Sequence, residues 1–188
     1  HLGIEHFSVA GMSAGAPFAL AIAHALPERV KKAAIISGSA PYNAESRSHL
    51  TKEVKMILGL AKTFPFLLKM MLSMQEKQLA KNPHKALSGF LKIMSSPDQE
   101  VLKNPKVMDV IEGMFTEAFR NGSQGVAYEI SKLLVKDWGF DIKNIQVPIT
   151  FWQGEQDNNV PAQWAEMMAR QIDGAALNLE RRSSTRMS

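Results

Sequence analysis

The stretch GMSAG, residues 11–15, constrains this chain more than any other. FSVAG, residues 7–11, runs into it as a short apolar segment, and APFALAIAHAL, residues 16–26, follows as an alanine-rich one. The first reads as a buried strand and the second as a buried helix. The expected layout is strand, tight turn with Ser13 at its apex, then helix. A turn this sharp forces the residues two before and two after the serine together. Gly11 and Gly15 are expected to relieve that crowding by lacking side chains. Ser13 would then stand exposed at the end of a sheet and at the start of a helix, where unpaired backbone N–H groups favour developing negative charge. This pattern gives a serine the setting of a nucleophile, with the N–H of Ala14 as an oxyanion donor.

The rest of the chain extends a βαβ pattern. Pro27 and Glu28 end the helix, and Ala33 to Gly38 reads as a second buried strand. Two such strands joined by a crossover helix make a parallel sheet. Ser37 to Ser46 is rich in turn formers and reads as a loop. Val147 to Trp152 reads as a third strand, Pro161 to Ile172 as a helix with proline in its first turn, and Gly174 to Glu180 as a fourth strand.

Between these parts the periodicity changes. From about residue 48 to 136 the pattern is helical, punctuated by Pro65, Pro83, Pro97 and Pro105. Val107, Val110, Ile111, Met114, Phe115, Ala118 and Phe119 fall on one helical face, and Val126, Ile130, Leu133 and Leu134 repeat the pattern. Four to six helices fit in this block. The expected organisation is a core made of 1–47 and 137–188, with 48–136 inserted. Seven of the eleven methionines lie in the insertion, and thioethers make adaptable apolar surfaces.

Composition narrows the function classes. The 188 residues suffice for one core with an insertion. No apolar run of about 18 residues suggests a membrane span. There is no cysteine, which excludes disulfides, thiolate metal sites and a cysteine nucleophile, and fits a cytoplasmic protein. The net charge is +4, with basic residues scattered and three arginines in the last eight positions. A solvated surface accounts for this better than a nucleic-acid site. No dinucleotide fingerprint or metal-ligand cluster occurs, so neither a cofactor nor a metal is expected.

Three segments together resemble the α/β-hydrolase fold family of capped serine hydrolases: GMSAG, PERV with KKAAIISG after the first helix, and VPITFWQGEQDNNVP, residues 147–161. They cover roughly half of the chain. The resemblance implies a partial α/β-hydrolase fold, with a parallel sheet of about four strands and 48–136 as a helical cap. It matches Ser13 to the nucleophile, Ala14 N–H to one oxyanion donor, and Asp157, in G-x-x-D-x-x-V-P, to the acid that orients a catalytic histidine. Glu155 is a neighbouring acid that matches no family position. The implied reaction is acyl transfer from an ester, amide or related bond, on a small-molecule substrate with apolar acyl or alkyl groups under the cap.

The sequence departs from the family in two ways. The family's histidine follows the last strand, but residues 181–188 read RRSSTRMS. All five histidines, His1, His6, His24, His49 and His84, precede Asp157. The family's front half, with the loop that supplies the second oxyanion donor, has no counterpart before the elbow. The expectation is therefore a fragment of a serine hydrolase without its catalytic histidine, in which the elbow strand forms an open sheet edge. The alternative is a non-catalytic relative that binds a ligand beneath its cap.

Overall fold

The structure is a computed structural model and describes residues 3–91 and 94–180. Its centre is a four-stranded, fully parallel sheet in the order β1-β2-β3-β4. The strands are β1 (Phe7–Met12), β2 (Val30–Ile36), β3 (Ile149–Gly154) and β4 (Ala176–Glu180). All four match strands anticipated from apolar runs, with shifted ends. β2 begins before Ala33 because Val30 pairs with Phe7 and Lys32 with Ser8, while the side chains of Lys31 and Lys32 stay exposed.

Register fixes what each face of the sheet carries. Gly11, Ile35, Phe151 and Leu177 form one row across the strands. Ile35 and Phe151 in it are buried, and Ile149 and Gln153 flank Phe151 on the same face of β3. The adjacent row, Met12, Ile36, Trp152 and Asn178, lies on the opposite face. Its three large apolar members are exposed by 54%, 40% and 44% respectively. Among the described residues the sheet thus has one packed face and one open face.

The helix α1 (Ala16–Ala25) packs on β1 and β2, and α9 (Ala162–Gln171) packs on β3 and β4. Ala16, Ala19, Leu20 and Ala23 are the buried stripe of α1; small residues there let the helix approach the strands closely. Trp164, Ala165, Met167 and Met168 are buried in α9. The 37–46 segment is not wholly a loop. Asn43 and Ser46 form a reciprocal capping box that starts the short helix α2 (Ala44–Ser48). The Trp164 indole N–H donates to the buried Ser46 carbonyl at 2.7 Å and ties α9 to α2.

Residue contacts divide the chain into two compact units. One runs to Leu50 and resumes at Asp137; the other is Thr51–Lys136. The second unit is helical: α3 (Lys52–Thr63), α4 (Pro65–Lys81), α5 (Pro83–Leu91), α6 (Ser96–Val101), α7 (Pro105–Ala118) and α8 (Gln124–Tyr128). Local chemistry sets its boundaries. Thr51 caps α3 through Val54 N–H, Asn104 caps α7 through Lys106 N–H, and prolines open α4 and α7. Phe64, kept out of the helical region before Pro65 at φ −132° and ψ 65°, makes the sharp turn between α3 and α4, whose axes differ by 117°. Beyond α8 the chain widens into a π-helical turn, Glu129–Leu134, where the Ser131 hydroxyl donates to the Ala127 carbonyl. The apolar face read on α7 is split: Val107, Ile111 and Phe115 are half-buried, whereas Val110 and Met114 are exposed.

Candidate active site

Ser13 follows the last residue of β1 and begins a short 3₁₀ turn, Ser13–Gly15, that runs directly into α1. Its backbone φ is +50°, a left-handed conformation that costs a non-glycine residue roughly 1–2 kcal/mol. The side chain is exposed. The turn is held by its carbonyl, which accepts the N–H of Ala16 and, at 3.0 Å, the N–H of Ser39. Ala14 stands in the first turn of this helical run, where N–H groups precede intrahelical bonding.

The two glycines differ. A Cβ on Gly11 would lie 2.5 Å from the Gly15 carbonyl oxygen and 2.9 Å from the Ala16 Cα. A Cβ on Gly15 would meet nothing within 4 Å. Gly11 is therefore sterically required. The expectation that Gly15 also relieves a collision is not met, because its own Cβ direction points into open space.

A brace that the sequence reading did not identify lies after β2. Ser37 has φ +43° and donates its N–H to the Trp152 carbonyl at 2.9 Å. Gly38 sits where a Cβ would run into the Ile35 and Ala16 side chains. Ser39 then reaches the Ser13 carbonyl. The signal was the run SGS directly after an apolar strand: small residues where the chain must pass tightly beneath the elbow.

Asp157 lies in the turn after β3. Its Oδ1 accepts the N–H groups of Asn159 and Val160 at 2.8 and 2.9 Å, and its Oδ2 accepts the Gln153 side-chain amide at 3.3 Å. Gln153 is 2% exposed and also donates to the Val160 carbonyl at 2.9 Å, so one buried amide pins both ends of the turn. Its Oε1 has no hydrogen-bond partner. Sequence reasoning missed Gln153, although a glutamine among the apolar residues of a buried strand was the available clue. Glu155 is exposed, and its main-chain N–H donates to the Glu180 carbonyl.

Register brings these two turns to one edge. Met12, Ile36 and Trp152 share a row, so Ser13 and the 154–160 turn both leave the C-terminal end of the sheet. Ligands collect at that edge in open α/β sheets. β2 lies between β1 and β3, which sets the two strand ends about 10 Å apart. Serine and carboxylate at that spacing need a bridging group to exchange a proton. Among the described residues no histidine bonds to either. His6 is exposed before β1; His24, in α1, stacks obliquely on Phe140 with ring centres 5.1 Å apart. His49 follows α2 and is exposed, and His84 pairs with Glu112 at 2.9 Å. His1 and the 181–188 stretch lie outside the described residues. No group of three or more His, Asp or Glu side chains among the described residues could hold a metal ion.

This strand–serine–helix elbow coincides with a family-level match. The model of the alpha/beta hydrolase fold matches residues 1–181. The chain belongs to the α/β-hydrolase fold family. Solved structures agree on the fold. An α/β hydrolase from a Medee basin deep-sea metagenome library is 18% identical with a TM-score of 0.60; the match covers 96% of this chain and 58% of that one. The enol-lactonase of Burkholderia xenovorans LB400 is 17% identical with a TM-score of 0.61, covering 95% and 58%. A bromoperoxidase from Bacillus anthracis is 14% identical with a TM-score of 0.63, covering 95% and 60%. This α/β-hydrolase chain thus spans about 58% of the length of the first structures it resembles. Among curated proteins, none matches it in sequence.

Proposed function

We infer that the chain carries the nucleophile and acid of a serine hydrolase that acts on an ester, amide or related bond by acyl transfer. The observation behind this reading is Ser13 held at φ +50°, exposed, between the end of β1 and the start of α1. Strain of this kind persists where surrounding structure enforces it, and it concentrates at functional positions. In the proposed reaction the Ser13 hydroxyl attacks the substrate carbonyl while a base takes its proton. The Ala14 N–H donates to the oxyanion that develops. The carbonyl re-forms as the alcohol or amine departs with a proton, leaving an acyl-serine that water cleaves. Asp157 would orient the base and stabilise its charged form, with Gln153 and the Asn159 and Val160 amides fixing the carboxylate. The helical unit would act as a cap, and its methionines suit apolar acyl or alkyl groups.

Catalysis by this chain alone would be weak. A serine hydroxyl without a base within reach is a poor nucleophile. No histidine in the sequence follows Asp157, and triad members act as a unit. External imidazole can stand in for the missing base. With p-nitrophenyl butyrate, the 188-residue chain should show turnover near background that rises saturably with imidazole, after subtraction of the imidazole-only rate. The rise should vanish in Ser13→Ala and should favour butyrate over acetate. Equal imidazole dependence in the wild type and Ser13→Ala would refute the nucleophile, and a preference for acetate over all longer esters would refute the apolar pocket.

A further inference from the structure

The helix α4 is apolar on both sides. Leu68, Leu72 and Leu79 are buried on one face. Phe66, Leu67, Met70, Met71 and Met74 occupy the opposite arc and are exposed, Phe66 by 74% and Met74 by 58%. At 100° per residue these five cover a continuous sector of about 140° over the first two and a half turns. A helix apolar all round is normally buried all round, so the exposed arc calls for a cover. Phe64, exposed by 58%, adds apolar surface at the α3–α4 turn.

Charge identifies the cover. The ionisable groups of α4 are Lys69, Lys77, Lys81 and Glu76. The three lysines are exposed. Glu76 is turned inward, where its Oε2 accepts the Ser123 N–H at 2.9 Å. The helix therefore shows water an apolar arc over its first turns, the exposed Gln78 farther along the same arc, and charge of positive sign from its lysines. Lys77 and Lys81 project in the same sector as Phe66 and Met70, farther along the axis, where their long stems can lift the ammonium groups toward headgroups. Among the described residues no single helix can cross a membrane. α3 and α4 together would pass by length and composition, but their 117° bend breaks the span. Apolar over its first turns, cationic farther along the same sector and at its flank through Lys69, and not spanning, the helix can lie on an anionic bilayer surface with its N-terminal half inserted and its C-terminal lysines at the headgroups.

We propose that α4 docks the helical unit onto anionic lipid bilayers, with Phe66, Met70 and Met74 inserted among the acyl chains and Lys69, Lys77 and Lys81 on the headgroups. This is a surface contact, distinct from the membrane span that the sequence argues against; it does not depend on Ser13 being catalytic, and it assigns Met70 and Met74 to lipid, leaving the other methionines of the helical unit for a substrate. The test is flotation of the full 188-residue chain with vesicles of phosphatidylcholine mixed with phosphatidylglycerol, and of phosphatidylcholine alone. The chain should float with the mixed vesicles and far less with phosphatidylcholine. Neutralising the three lysines in K69Q/K77Q/K81Q should weaken binding on the order of 100-fold. Met70→Glu with Met74→Glu should abolish it, while Val110→Glu, an exposed apolar site on α7, should leave it intact. All these positions are at the surface, and unchanged circular dichroism confirms that the variants fold. No flotation of the wild type, equal binding to both vesicle types, or binding unchanged by the lysine variant would overturn the proposal. So would a wild-type dimer that Met70→Glu splits, since a second copy would then be the cover.

Discussion

At residue scale the elbow depends on which side chains are absent. Gly11 is buried, and a methyl group there would press on the backbone of Gly15 and Ala16, which cannot move without shifting the start of α1. Gly15 has ordinary right-handed helical angles, φ −76° and ψ −16°, and open space at its Cβ position. Gly11→Ala should therefore cost about 1–3 kcal/mol, as overpacking does. Gly15→Ala should be neutral or stabilise by up to about 1 kcal/mol, because alanine narrows the unfolded ensemble. Urea denaturation of both variants reads this difference, and equal losses would show that the turn tightens around both glycines. The motif GMSAG was legible in the sequence; the asymmetry between its glycines was not. It depends on the direction of each Cβ, which only backbone angles set. Asp157 was singled out only through the family resemblance, in the pattern G-x-x-D-x-x-V-P. Gln153 was not, because its value lies in bonds to Asp157 and Val160 made after the chain folds back on itself.

At the scale of elements, the four strands were readable because each is a short apolar run bounded by turn formers. Their ends were less so. Lys31 and Lys32 look like loop residues, yet they belong to β2 because Phe7 and Ser8 of β1 pair with Val30 and Lys32 on either side of a register shift at Lys31. α2 hid inside a turn-rich stretch, since the same Asn43 and Ser46 that suggest a loop also build a helix cap. Its role appears only through a contact 118 residues away, the bond from Trp164 to the Ser46 carbonyl. Trp164→Phe keeps most of the apolar bulk but leaves that buried carbonyl without this donor. A loss of about 1–3 kcal/mol is expected, visible as a lower melting temperature. An unchanged melting temperature would mean that water or a shifted side chain replaces the indole. In the helical unit, the apolar face on α7 was read as continuous because spacing alone cannot tell which part of a broad stripe meets a neighbour; Val110 and Met114 are the part that does not.

At the scale of the whole molecule, the open row Met12, Ile36 and Trp152 lies beside the elbow. Parallel sheets are normally covered on both faces; here the described residues cover one. β1, the strand that leads into Ser13, is also the sheet edge. The open edge was expected from the family resemblance, in which the strands from the elbow onward lie side by side; the open face was not, since it needs the register of all four strands. The central claim is that Ser13 is the nucleophile, and it can be tested without turnover. The 188-residue chain is treated with a fluorophosphonate in the presence of imidazole, digested, and the adduct located by peptide mass spectrometry. A single phosphonylated site at Ser13, strengthened by imidazole and absent in Ser13→Ala, is the predicted result. Labelling that survives Ser13→Ala, or that falls on other serines with no preference for Ser13, would contradict it.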